Sequence, residues 1–213
     1  MKTLNAIVVL IILLILNGCN KQQEKVEIAP PKVDLHSAVV TNNLDLIRQH
    51  IKAGTDINVL EPTHASTPLI TAAALGRPKA AKILIDAGAS LDYQNADGST
   101  ALHTAAAFGK TEVAKLLIDA GANMNIKNNE GSTALHAAAF LCRTDIVQAL
   151  LAKGADKTIK NKVGQTALET VQAPFDDVKM VYDAVGAGLK PLGVVLDYEQ
   201  IKEARPKIAE MLK

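Results

Sequence analysis

The amino-acid sequence reads as an all-α solenoid, in which short helix-turn-helix units stack side by side and a C-terminal helical cap closes the stack. Three observations carry this reading. A period of 33 residues runs through the middle of the chain: Thr67, Thr100, Thr133 and Thr166 recur at that spacing, as do Gly88, Gly121 and Gly154, and Gly98, Gly131 and Gly164. The composition is apolar yet small, with 48% hydrophobic residues, 33 alanines, 3% aromatics and no Trp among 213 residues, so neighbouring elements must approach closely. Each unit also brackets its apolar stretches between a Thr that can cap a helix start and a Gly that can end one. Such a repeat at fixed period is the signature of a stacked architecture.

The elements follow in order from the N-terminus. Residues Met1 to Asn5 hold one positive charge, Lys2, and Ala6 to Leu16 are eleven uninterrupted apolar residues. Eleven helical residues span about 16 Å, roughly half a bilayer core, which fits a secretory signal better than a transmembrane anchor. The ending Leu16-Asn17-Gly18-Cys19 resembles a bacterial lipobox. That resemblance implies cleavage of a signal peptide, 1–18, and acylation of Cys19, with several acyl chains giving stable anchoring. Asn20 follows the Cys, where Asp typically retains lipoproteins in the inner membrane. The implied location is the bacterial cell envelope, at the outer membrane facing the periplasm. Without Lys2 the mature chain carries 22 positive and 22 negative side chains, so lipid and not charge addresses the membrane. Residues 19–33 form the lipidated N-terminus and a polar spacer, stiffened at Pro30 and Pro31. Cys142 is the one cysteine left, and it has no internal disulfide partner.

Three units then run in perfect register, 67–99, 100–132 and 133–165. An earlier unit, 34–66, carries an extra residue near Leu60 to Ala65, and a partial unit, 166–173, opens at Thr166-Ala167-Leu168. The repeated TPLITAAA, TALHTAAA and TALHAAAF openings, followed by stretches such as LLIDAGANMN, resemble the ankyrin repeat, and this family likeness covers roughly Asp34 to Val171. It implies paired helices with hairpin-like fingers between units. Thr100 is expected to cap the first helix of its unit. Leu102, Ala105 and Ala106 face the neighbouring unit, where small residues permit the short end of helix packing distances. Gly76 and Gly109 end the first helices in the left-handed conformation, and Asn42 takes that place in the first unit. Cys142 stands where the two preceding units have Gly, and a non-Gly residue there costs on the order of 1–2 kcal/mol. The second helix, expected at Glu112 to Ala120, places Val113, Leu116 and Leu117 on one face. Residues 125–132 form a finger with Gly131 at its turn.

The ends differ from the middle. Asn42, Asn43, Gln49 and His50 make the first unit polar and cap-like. Residues 174–213 form a C-terminal helical extension: Phe175, Val178, Tyr182, Val185 and Leu189 recur at helical spacing. Gly186, Gly188, Pro191 and Gly193 then read as a breaker cluster. Asp197 through Gln200 signal a helix start, and Pro206 is expected to split the last helix.

Catalytic chemistry is not legible. There is no G-x-S-x-G, H-E-x-x-H or Walker loop. His103 and His136 fill the T-x-L-H position that the ankyrin resemblance assigns to hydrogen bonds between fingers. They stand roughly 10 Å apart if stacked, too far to share a metal. Catalytic and metal sites are therefore expected to be absent, and no cofactor is implied. The net charge of +1 and the scarcity of rings argue against nucleic acid, and a monomer is expected.

What remains is a surface. The resemblance implies a non-enzymatic scaffold or adaptor that binds a protein through its concave face. The late first-helix positions Leu75, Phe108, Phe140 and Leu141 recur along the stack. The finger tips add Gln94 and Asp97, then Lys127 and Glu130, then Lys160 and Lys162. An immunity or inhibitor protein that neutralises a toxin or hydrolase in the periplasm would use the same surface.

Overall fold

The protein is described by a computed structural model that covers residues 29–190 and 194–213. The signal segment, Cys19 and most of the spacer lie outside those residues, as do Pro191 and Gly193. Among the described residues eleven helices and no strands are found.

Four helix pairs form the repeats: α1 (Leu35–Val40) with α2 (Leu44–Lys52), α3 (Pro68–Leu75) with α4 (Pro78–Asp86), α5 (Ala101–Ala107) with α6 (Thr111–Asp119), and α7 (Ala134–Phe140) with α8 (Thr144–Ala152). The odd-numbered helices pack on one another in sequence, and so do the even-numbered ones. The shared core is narrow and built from small side chains, with Ala72, Ala73, Ala105, Ala106, Ala138 and Ala139 all fully buried. That is where the alanines of the composition go. Leu69, Leu102 and Leu135 are buried beside them, filling the layer between successive units.

Local chemistry sets the ends of each helix. The Thr67 hydroxyl accepts from Ile70 N at 3.3 Å, and the Thr100 hydroxyl accepts from His103 N at 3.4 Å. Gly76 and Gly109 end or follow the inner helices with φ of 62° and 65°. The cation of the next unit lies over each: a Cβ on Gly76 would come 2.9 Å from the Lys110 side chain, and one on Gly109 would come 3.0 Å from that of Arg143. Arg77 and Arg143 reach further back and donate to the carbonyls of Val40 and Ala107, where cations complement helix C-termini. The series 77, 110 and 143 ends at Asp176. Cys142, left-handed at φ 56°, has no cation from that series, but Arg205 from further along the chain is close enough to act on its thiol, which packs 3.7 Å from the Ile201 carbonyl.

The C-terminal region completes the stack in an unexpected way. Helix α9 (Glu169–Gln172) packs on α7 as the inner helix of a fifth unit. The outer place beside α8 is taken by the last helix, α11 (Tyr198–Leu212), which also pairs with α9. Between them, α10 (Phe175–Leu189) is an insertion.

Three expectations are corrected here. Gly186 and Gly188 do not break the chain but lie within α10, because the face containing buried Tyr182 outweighs the modest cost of helical glycine. Pro206 lies inside an unbroken α11. Buried Ile201 and Ala204 before it, and Ile208 and Leu212 after it, hold the helix across the missing hydrogen bond. His50 of the polar first unit is 3% exposed and clamps the chain entry through Val33 O at 2.7 Å and the Thr55 hydroxyl at 3.1 Å. Leu116 is only half-buried, and the buried face of α6 is Val113, Ala114, Leu117 and Ile118.

Candidate interaction surface

The fingers form a hydrogen-bonded row that fixes the spacing of everything displayed on it. Ala96 N donates to His64 O, Asn129 N to Asp97 O and Lys162 N to Glu130 O, at 2.9, 3.0 and 3.0 Å. Asn58, Asp92 and Asn125 each accept from a backbone N–H of the next unit, at Ser90, Asn123 and Asp156. The buried imidazoles add a second tie. Thr100 N donates to His103 Nδ1, so the ring proton sits on Nε2 and is donated to Ser132 O at 3.0 Å. His136 repeats the arrangement with Thr133 N and Gln165 O. Burial pushes both imidazoles below the usual histidine range, which keeps them neutral and preserves the bond pattern.

Between the fingers and the inner helices lie two concave clefts. The first, about 460 Å³, has an apolar floor of Ile70, Ala74, Leu75, Ala107 and Phe108, with Glu61, His64 and Asp97 at its edge. Leu75 is 41% exposed, a large apolar side chain without cover. Glu61 holds the extra residue of the first finger in place. Against the desolvation that would raise it, N–H donation from Thr63, Ser66 and His64 draws its carboxyl down to about 2. The second cleft, about 590 Å³, lies between Ala137, Phe140, Leu141 and the Val178, Val181 and Val185 face of α10, with Glu130 and Glu169 at its edge.

The predicted residues are distributed unevenly over this geometry. Leu75 and Phe108 line the first cleft together, and Asp97 is exposed at its rim. Phe140 and Leu141 line the second cleft, but not as a free continuation of the row. Leu141 is buried, and the Phe140 ring stacks on Tyr182, with centroids 4.7 Å apart and planes at 3°. The Tyr182 hydroxyl donates to Phe140 O and accepts from Arg205 Nη1 at 2.7 Å. Burial pushes that hydroxyl up to about 12, so it stays protonated as a donor. Gln94 is exposed, but its amide already donates to Gly98 O and Lys127 O, so it braces two fingers. Lys127, Glu130, Lys160 and Lys162 are all exposed, and of these four Glu130 lines a cleft.

Sequence reasoning missed Val178, Val181 and Val185 as parts of the surface. The spacing of Val178 and Val185 with Tyr182 gave a helix, but only the docking of Tyr182 on Phe140 turns that face, Val181 included, toward the repeats. Among the described residues no group of three or more His, Cys, Asp or Glu side chains is placed to hold a metal ion. No described helix is long and apolar enough to cross a membrane.

A stack of paired helices with bonded fingers and a concave apolar floor defines a repeat solenoid built to display a surface. The family profile described as "Ankyrin repeats (3 copies)" matches residues 35–128 and 88–161, more than half of the chain, and the chain belongs to the ankyrin repeat family. Membership of this family indicates protein–protein interaction. The chain is also similar to protein phosphatase 1 regulatory subunit 27 of Mus musculus, at 41% identity over 64 residues. That match covers 30% of this chain and 41% of the mouse protein, so the chain spans about two fifths of that relative's length.

Proposed function

We propose that this chain is a lipid-anchored, non-enzymatic adaptor of the bacterial cell envelope that holds a partner protein against its concave face. The observation that carries the binding half is the first cleft, where exposed Leu75 and half-buried Phe108 share an apolar floor. Uncovered apolar side chains in a preformed groove are what an interface anchors on. The family points the same way, and the mouse relative is by its name a regulatory subunit. The anchoring half is supported by the sequence alone: Lys2, the apolar run Ala6 to Leu16, and Leu16-Asn17-Gly18-Cys19. Asn20 supports the outer membrane, facing the periplasm. The reading treats the protein as a monomer that needs no cofactor.

Two experiments test the halves separately. Cys19→Ser should move the chain from the membrane to the soluble fraction, and unchanged membrane retention would refute lipid anchoring. Capture of the full chain from solubilised membranes should recover a partner with wild type and lose it with Leu75→Ala plus Phe108→Ala. Equal recovery from both would refute the concave face as the binding surface, and recovery of one tightly held toxin or hydrolase would redirect the reading to an immunity protein.

A further inference from the structure

The two concave clefts share a charge character that the chain as a whole does not have. Glu61 and Asp97 edge the first and Glu130 and Glu169 the second, while no Lys or Arg among the described residues lines either one. The whole chain carries 23 basic against 22 acidic side chains, so this one-signed rim is a local arrangement. Asp97 and Glu130 occupy equivalent positions on successive fingers, and the finger hydrogen bonds Asn129 N to Asp97 O and Lys162 N to Glu130 O hold them in line. His103 and His136 reach into the clefts but do not offset the acids, because burial and their bonded tautomer keep them neutral; the remaining imidazole at the rim, exposed His64, stands with its Nδ1 3.8 Å from Glu61. Glu61 and Glu169 are held ionised by backbone N–H donors. Lys127 weighs on His136 and Lys160 on Glu169, yet both stand outside the cleft linings.

From this arrangement we infer that the partner presents a polypeptide segment in which aliphatic or aromatic side chains alternate with Lys or Arg. The apolar side chains enter the clefts and the cations meet the acidic rim. This rests on the concave-face reading above and adds the chemistry of what docks there. Charge complementarity of this kind sets register and association rate more than affinity. It also repels phosphate-rich ligands, so neither a nucleic acid nor an anionic lipid surface fits the same clefts.

The test uses the detergent-solubilised full chain and a display library of random peptides, selected in parallel on wild type, on Asp97→Asn plus Glu130→Gln, and on Phe108→Ala. Melting curves confirm that each variant is folded. The expected result is a wild-type pool enriched in Lys and Arg together with large apolar residues, and loss of that enrichment on both variants. The best peptide should bind roughly tenfold more weakly to the double charge variant, and more weakly to wild type as salt is raised. A pool of neutral or acidic peptides that depends on Phe108 overturns the basic-partner inference and leaves the concave face standing. A basic pool retained on the charge variant and on Phe108→Ala overturns both. Failure to enrich any peptide on wild type also overturns this inference.

Discussion

Gly98 and Gly131 mark where the backbone of one finger crosses the next with no room for a further carbon. A Cβ at Gly131 would lie 2.9 Å from Lys162 N, and one at Gly98 would lie 2.8 Å from Asn129 N, both backbone atoms that already bond the neighbouring finger. Gly121 shares the left-handed conformation, at φ 88°, but a Cβ there would meet open space. The two sites therefore separate backbone strain from crowding. Gly121→Ala should cost about 1 kcal/mol, the left-handed penalty alone. Gly131→Ala should cost roughly 2–4 kcal/mol, because crowding and a disturbed finger bond add to it. Urea unfolding of the two variants checks this, and equal losses would show that the fingers yield. Cys142 takes the same left-handed place as Asn42, at φ 56° against 54°, and carries the strain without glycine.

At the scale of elements, α10 behaves as a clamp held by one aromatic residue. Tyr182 is its one fully buried side chain, stacked on Phe140 and bonded to both the inner helix α7 and Arg205 of α11. Arg205 is itself 2% exposed, with no carboxylate within ion-pair reach among the described residues. Its charge is accommodated by the Tyr182 hydroxyl, the Ala173 carbonyl at 2.7 Å and the Tyr182 ring face, its Cζ 5.6 Å from the centroid. Removing one of so few partners from a buried cation is costly. Tyr182→Phe should keep the ring stack and still lose about 1–3 kcal/mol, seen as a lower Tm by circular dichroism. An unchanged Tm would mean that water replaces the hydroxyl.

Over the whole molecule, stability is a sum of unit and interface contributions, so ties repeated along the stack act together. His103 and His136 are two such ties in successive interfaces, and burial depresses both pKa values in the folded state. An unfolded chain binds their protons near pH 6.5, while the folded chain resists until lower pH. Their contribution is thus fully present above about pH 6.5 and is lost as pH falls through the folded values. Tm should decline on going from roughly pH 7.5 to 5.5. His103→Gln plus His136→Gln should lower Tm at neutral pH but flatten that decline. An equally steep decline in the double variant would assign it to other groups.

Much of this was legible in one dimension. The 33-residue spacing of Thr and Gly carried the helix pairs, the capping threonines, the left-handed ends and the finger turns, because each depends on residues within one unit or at one fixed step from it. The alanine-rich composition likewise foretold close stacking. The candidate surface was legible only in part: Leu75, Phe108, Asp97 and Glu130 fall at clefts as their repeat positions imply. Phe140 and Leu141 fall at the second cleft, but covered by α10 instead of standing free, because the next unit is not another copy. There the chain inserts α10 and returns with α11 to fill the outer place. Which helix completes the fifth unit, where Tyr182 lands and how Arg205 is satisfied are set by packing between segments far apart in sequence. No local pattern encodes those contacts, since several amphipathic helices could cover the same end, and only the match of side chains in three dimensions selects one.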